Sequence, residues 1–171
     1  MNLFLEKIKN SGDYKQDRII SFGDQFEIDL SKSFPLLNVN FSFILDKILE
    51  FNVECPSKLE SIFILQNFSL NPTIESFQLH IKNGSVLEGK VYIKVCDIYN
   101  RLPIRIVMYS LLLHMISHML GYKVGKIIYS MGEVYLLSKD INKELPNNNI
   151  TLSIIKKCEI FKDFTLDCFS F

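Results

Sequence analysis

The stretch from residue 104 to residue 138, IRIVMYSLLLHMISHMLGYKVGKIIYSMGEVYLLS, decides the fold. Together with Leu102 and Pro103 before it, its first half carries apolar side chains on every side of a 3.6-residue turn. A helix of that kind has no face to give to water and must lie inside the molecule. Pro103 suits a first helical turn and Gly121 suits the left-handed residue just past a last one, so the spacing predicts a helix from Leu102 to about Tyr122. About 20 apolar residues would also span a bilayer. Arg105, His114 and His118 would each be costly at that depth, so the expectation is the core helix of a soluble domain, with no membrane partner. Lys126 to Leu137 then reads as a strand.

Working outward, Ser61 to Phe68 (SIFILQNF), Ser76 to Lys82 (SFQLHIK) and Lys90 to Cys96 (KVYIKVC) are expected strands. Asn83-Gly84 is a hairpin signal between the last two, with a loop that runs on toward Gly89. Ile19 to Leu30 alternates with period two around Gly23-Asp24, a turn or bulge inside a strand. Residues 3 to 9 and the segment FSFILDKILEF have helical spacing, with Ser42 as the expected cap of the second. Leu152 to Lys157 and the closing DFTLDCFSF, alternating at Phe164, Leu166, Cys168 and Ser170, are read as strands. The sum is an α+β architecture: a mixed sheet of five or six strands, one long buried helix and shorter ones.

The chain has 171 residues, enough for one compact domain over residues 1–171. Apolar residues make up 48% and charged residues 22%, with 14 Phe and 7 Tyr, which excludes a disordered chain. Nineteen basic residues balance nineteen acidic ones, so no net field favours nucleic acid or anionic lipid as a partner. The charged N-terminus MNLFLEKIKNSGDYKQD is unlike a signal peptide, and the cytoplasm is the expected location. Cys55, Cys96, Cys158 and Cys168 are scattered without a C-x-x-C pair, which predicts buried thiols and no zinc site. His114 and His118 share a helix face, four residues apart. The glutamate of a two-histidine zinc motif is missing between them, and both are expected as core or interface histidines. Cys96, next to Asp97, is expected to be a buried thiol.

Three stretches, in order, resemble the thymidylate synthase family. Residues 104 to 138 are similar to its long helix with an LLTHMIA run, its turn, and its strand with a G-D-x-H-x-Y-S motif, here Gly132-Glu133-Val134-Tyr135-Leu136-Leu137-Ser138. LEKIKNSGDYKQDRIISFGDQFEIDLSKSFPLL resembles the family's N-terminal helix, its Asp-Arg loop, its FG strand and its FPL turn. Pro72 to Pro103 resembles the run from the nucleophile strand through R-S-x-D to L-P. The resemblance implies a three-layer thymidylate synthase-like fold. It also implies a dimer in which two sheets pack back to back, and the consecutive apolar residues Ile62 to Leu65 and Val134 to Leu137 are the expected contact. The partner is expected to be a second copy, or alternatively a related chain.

The same resemblance marks what the chain lacks. At the cysteine of P-C-H-x-x-x-Q stands Thr73, followed by Ile74. The family's reaction needs a thiolate, which a threonine cannot supply near neutral pH without a strong base beside it. The histidine and tyrosine of G-D-x-H-x-Y-S are Tyr135 and Leu137. Of the phosphate-binding arginines Arg18 is retained, whereas the R-S-x-D arginine is Lys94 and the pair given by the opposite subunit falls on Glu60 and Ser61. Asp97 is kept, the pyrimidine-reading asparagine is Arg105, and the early-helix glutamate falls on Lys47, or on the adjacent Asp46 if the alignment slips by one. The resemblance reduces the family's long insert to NVECPSKLE, and the family's closing tail is expected to be missing. The expected function is therefore a non-catalytic homologue acting through association or through a nucleotide-like ligand, with Arg18, Lys94, Asp97, Arg105 and Tyr135 as its remnant pocket, no cofactor and no metal. The alternative is a pyrimidine nucleotide or nucleoside methylase or hydroxymethylase with relocated catalytic groups. Arg18, Lys47, Lys94 and Arg105 are read either as one basic pocket floor or, preferably, as independent charges.

Overall fold

The computed structural model describes residues 2–50, 62–66, 75–145 and 149–171, with the backbone alone at 2, 62–66 and 75. Its helices are α1 (Asn2–Ser11), α2 (Phe41–Glu50) and α3 (Leu102–Leu120). The strands are β1 (Asp13–Lys15), β2 (Arg18–Phe22), β3 (Gln25–Asp29), β4 (Phe34–Pro35), β5 (Ile62–Gln66), β6 (Glu75–Lys82), β7 (Val86–Asp97), β8 (Lys123–Leu137), β9 (Asn149–Ile150), β10 (Ser153–Ile154) and β11 (Phe169–Ser170). Seven strands form the main sheet in the order β1-β2-β8-β7-β6-β5, with β3 following β2 along the same edge of β8. Among the described strands only β7 and β8 run parallel, joined by α3, so the sheet is mixed and the fold is α+β.

Helix α3 is buried from Leu102 to Ser117 apart from Ile104, as its all-round apolar character requires. One side lies on β7 and β8; the other meets α2 and β4, giving sheet, α3 and outer elements as three layers. Length and composition would let α3 cross a membrane, but 83% of its apolar window is buried inside the fold. Its end is set as expected. Gly121 sits at φ +73°, its N–H donates to the His118 carbonyl at 3.2 Å, and the Tyr122 N–H reaches the Ser117 carbonyl at 2.9 Å. Tyr129 Oη donates to the Ile106 carbonyl at 3.0 Å, tying β8 to the helix.

The hairpin between β6 and β7 is tighter than its sequence suggests. Lys82 pairs with Val86, leaving Asn83-Gly84-Ser85 as the loop, and Asn83 (φ +51°) and Gly84 (φ +68°) take the left-handed backbone that this reversal needs.

The strand through Ile19–Leu30 is broken at Gly23-Asp24 as its sequence indicates, and the break does not stand alone. Gly23 N–H donates to the Gly132 carbonyl and Met131 N–H to the Asp24 carbonyl, both at 2.8 Å. At the same level the pleat changes phase in the two neighbouring strands. Residues 87, 89, 91 and 93 of β7 are buried, then Cys96; residues 127, 129 and 131 of β8 are buried, then Val134 and Leu136. Gly132 permits the passage, because a Cβ there would lie 2.6 Å from the Lys94 carbonyl oxygen.

Several expectations are corrected. Asn40, not Ser42, caps α2, accepting the Phe43 N–H on Oδ1 at 3.1 Å. The closing segment is not an alternating strand: 3-10 turns occupy Phe161–Asp163 and Leu166–Cys168, and only Phe169–Ser170 pairs, with Ser153–Ile154. Phe164 and Cys168 are nonetheless core residues, because turns as well as strands can aim alternate side chains inward. The sheet has seven strands, the short edge strand β1 having carried no period in the sequence. Thr73, Ile74, Glu60, Ser61 and Cys55 lie outside the described residues, as do the side chains of Ile62 to Leu65.

Candidate functional site

The end of the sheet beyond the phase change holds four of the five expected pocket residues. Tyr135 on β8 is opposite Ile20 of β2 on one side and Asp97 of β7 on the other, and Arg18 is opposite Leu137. After the phase change Tyr135 points away from α3, half-buried, and the Arg18 guanidinium lies over its ring, 5.1 Å from the centroid. Asp17 Oδ1 stands 3.5 Å from Arg18 Nε. A shallow depression of about 420 Å³ beside them is lined by Lys15, Gln16, Arg18 and Ile20.

Asp97 and Arg105 turn inward. Asp97, 6% exposed, accepts the N–H groups of Tyr99 and Asn100 at 3.0 and 2.9 Å on Oδ1 and the Asn100 side-chain amide at 2.9 Å on Oδ2. It is the brace of the turn leading into α3. Arg105, in the first turn of that helix and also 6% exposed, donates from Nη1 to Cys96 Sγ at 3.0 Å. Cys96 sits where β7 delivers its side chain to the core once the pleat has shifted, as its expected burial requires.

Lys94 does not join them. It is exposed and level with Gly132, five residues back along β8 from the partner of Arg18, which is about 17 Å at a strand's rise per residue. Lys47 pairs with Glu50 at 2.5 Å on α2. The four cations are thus independent charges rather than one pocket floor. Among the described residues no group of three His, Cys, Asp or Glu side chains stands close enough to hold a metal ion. His114 is 9% exposed, edge-on to Phe34 at 5.6 Å, and its Nε2 has no hydrogen-bond partner among the described residues. Burial pulls its pKa down to about 4. His118 Nε2 accepts the Cys158 N–H at 3.4 Å.

A model of thymidylate synthase as a family matches residues 58–170 of this chain. The chain belongs to the thymidylate synthase family. Among curated relatives, a thymidylate synthase of Vesicomyosocius okutanii is 25% identical, the match covering 98% of this chain and 92% of that protein. It runs over 244 aligned positions, far more than the 171 residues here, and so carries long gaps. A thymidylate synthase of Buchnera aphidicola (strain Bp) is 37% identical over 46% of this chain and 30% of its own length. One of Listeria monocytogenes (strain HCC23) is 32% identical over 46% and 25%. The last two matches thus span under a third of those enzymes.

Within the family frame, Arg105 and Cys96 are the residues that sequence reasoning placed but did not connect. They are nine positions apart on different elements, and only the β7–α3 turn braced by Asp97 brings them together. Cys96 was legible as buried from Val95 and Ile98; its role as an acceptor for Arg105 carried no sequence signal.

Proposed function

We propose that this chain is a non-catalytic member of the thymidylate synthase family, acting by association with a second chain and, at the bulged end of the sheet, by holding a nucleotide-like ligand. The observation that carries the reading is the inward commitment of Asp97 and Arg105. A guanidinium buried against Cys96 occupies the place of a group that reads a pyrimidine, and the aspartate beside it is spent on a turn. Arg18, half-exposed over Tyr135, is a cation suited to an anionic group there, with Lys15 lining the same depression. Thr73 in place of a thiol points the same way.

Supplied with dUMP and methylenetetrahydrofolate, the protein should form no thymidylate. Any turnover that Thr73→Ala abolishes would overturn the reading. Binding of dUMP should be weak and should fall further with Arg18→Ala. The alternative, a pyrimidine-modifying enzyme with relocated groups, has in its favour that each relative named above is called a thymidylate synthase. Turnover that survives Thr73→Ala and is lost with Cys96→Ser would support it.

Association through the sheet face is supported at one end of that face. Ile20, Phe22, Val95, Tyr135 and Leu137 project from it after the bulge, Phe22 being 83% exposed. Elsewhere among the described residues the face is mixed: Lys82–Glu88 at 3.0 Å, Lys126–Glu27 at 2.6 Å and Tyr92 Oη donating to Gln78 at 3.1 Å lie among Val86 and Ile128. A contact centred on the phase change is therefore the form of dimer that fits this reading, with a second copy as partner or a related chain in its place.

A further inference from the structure

Cys158 and Cys168 are ten residues apart, and the fold brings their Sγ atoms to 3.7 Å. The clasp that does this is the β10–β11 pair, extended by the Ile155 N–H donating to the Cys168 carbonyl at 2.8 Å. Between them the two 3-10 turns fold the chain back on itself. Both thiols then converge on one acceptor, the Asp163 carbonyl, at 3.8 Å from Cys158 and 3.6 Å from Cys168. Each cysteine is 3% exposed or less, yet residues 155–157, 159, 160 and 165–167 around them are exposed, so the cover is a single layer of surface loop.

The two sulfurs are not equivalent. The Thr165 N–H donates to Cys168 Sγ at 3.4 Å, and the Thr165 hydroxyl lies at the same distance. Burial works against ionisation of Cys168, but these contacts, the hydroxyl first, overcome it and leave its thiol below its ordinary pKa. Cys158 faces carbonyl oxygens, of Lys156 and Asp163, and burial with Cys168 beside it pushes its pKa up to about 11. The pair has the makings of one attacking and one resolving thiol.

We propose that Cys158 and Cys168 form an oxidation site, converted to an intramolecular disulfide by a low-molecular-weight disulfide of the glutathione class. The Cys168 thiolate attacks one sulfur of the oxidant, the oxidant's S–S bond breaks, and one small thiolate leaves. Cys158 then loses its proton to solvent and attacks the Cys168 sulfur, expelling the second small thiolate. Two protein thiols have given up two protons and two electrons, and the oxidant has become two thiols. The sulfurs must approach from 3.7 Å to about 2.05 Å, a small closure for a surface loop. The product would pin the closing segment where Phe164 meets His118 and Phe169 meets Phe41, on α3 and α2.

The full folded chain is incubated with oxidised glutathione, quenched with acid, alkylated and cut with trypsin without reduction. Cleavage after Lys157 and Lys162 separates the two cysteines, so the disulfide joins the peptides 158–162 and 163–171. The joined pair should appear as the main product and vanish on reduction. Two alkylated peptides in its place, lasting glutathione adducts on both, or equal pairing with Cys55 or Cys96 would overturn the proposal. Cys158→Ser should accumulate glutathione on Cys168, while Cys168→Ser should react about tenfold more slowly at Cys158. Equal rates in the two variants would overturn the assigned order of attack.

Discussion

His114 shows how one residue's surroundings set a property of the whole protein. Its ring is held neutral by burial, with a pKa of about 4 against 6.5 for an open histidine. Between those values the unfolded chain binds a proton that the folded chain does not. The stabilising contribution is therefore complete above pH 6.5 and is lost as pH falls toward 4, at no more than about 1.4 kcal/mol per pH unit. His114→Leu should flatten the pH dependence of the urea midpoint across that window, relative to the parent chain. An unchanged slope would mean that the histidine is reached by water. Tyr129 is the complementary case. Its phenol is wholly buried, desolvation pushes its pKa far upward, and its hydroxyl serves the Ile106 carbonyl. Tyr129→Phe should cost about 1 kcal/mol in chemical denaturation, because an acceptor inside the core loses its donor.

At the scale of single elements the ends matter more than the middles. The apolar faces of α2 and α3 were plain in the sequence, but the cap of α2 was not, since Asn40 and Ser42 are both competent cap residues two positions apart. The structure selects Asn40, whose side chain reaches the Phe43 N–H. Asn40→Ala should cost about 1 kcal/mol, a fall in Tm of about 2–4 °C for a chain of this size, and Ser42→Ala should cost almost nothing. Gly132 is the other decisive end, where β8 changes phase. Gly132→Ala would drive a methyl group against the Lys94 carbonyl and should cost about 2 kcal/mol or more, because backbone cannot step aside as a side-chain tip can. Equal stability of the alanine variant and the parent would show that the bulge is loose.

For the whole molecule, the mixed character of the outer sheet face sets the terms of association. An uninterrupted apolar face would demand a partner; a face that mixes ion pairs with apolar residues along the described parts of β6, β7 and β8 and is richest in apolar residues past the phase change permits a smaller contact. Sedimentation equilibrium at micromolar concentration should find twice the mass of the 19.9 kDa chain. Tyr135→Asp or Leu137→Asp should return it to a single chain, whereas a stable, folded species at 19.9 kDa in the parent would sink the dimer.

What the sequence determined alone was periodic or local. The burial of α3 follows from apolar residues on all its sides, its end from Gly121, the β6–β7 reversal from Asn83-Gly84, and the interrupted strand from Gly23-Asp24. Motifs read in order also placed the chain beside the thymidylate synthase family. Tertiary structure decided whatever depends on neighbouring strands. A period of two says that side chains alternate but not which face is which, and one bulge reverses the assignment for every residue beyond it. The changes of pleat phase near Gly23, at Lys94–Val95 and at Gly132 lie side by side only once β2, β7 and β8 are assembled. That assembly sends Cys96, Val134 and Leu136 into the core and Tyr135 out to meet Arg18, and it leaves Lys94 far from Arg18. The closing clasp is likewise a tertiary outcome, since nothing in a ten-residue spacing announces that two thiols will end in contact.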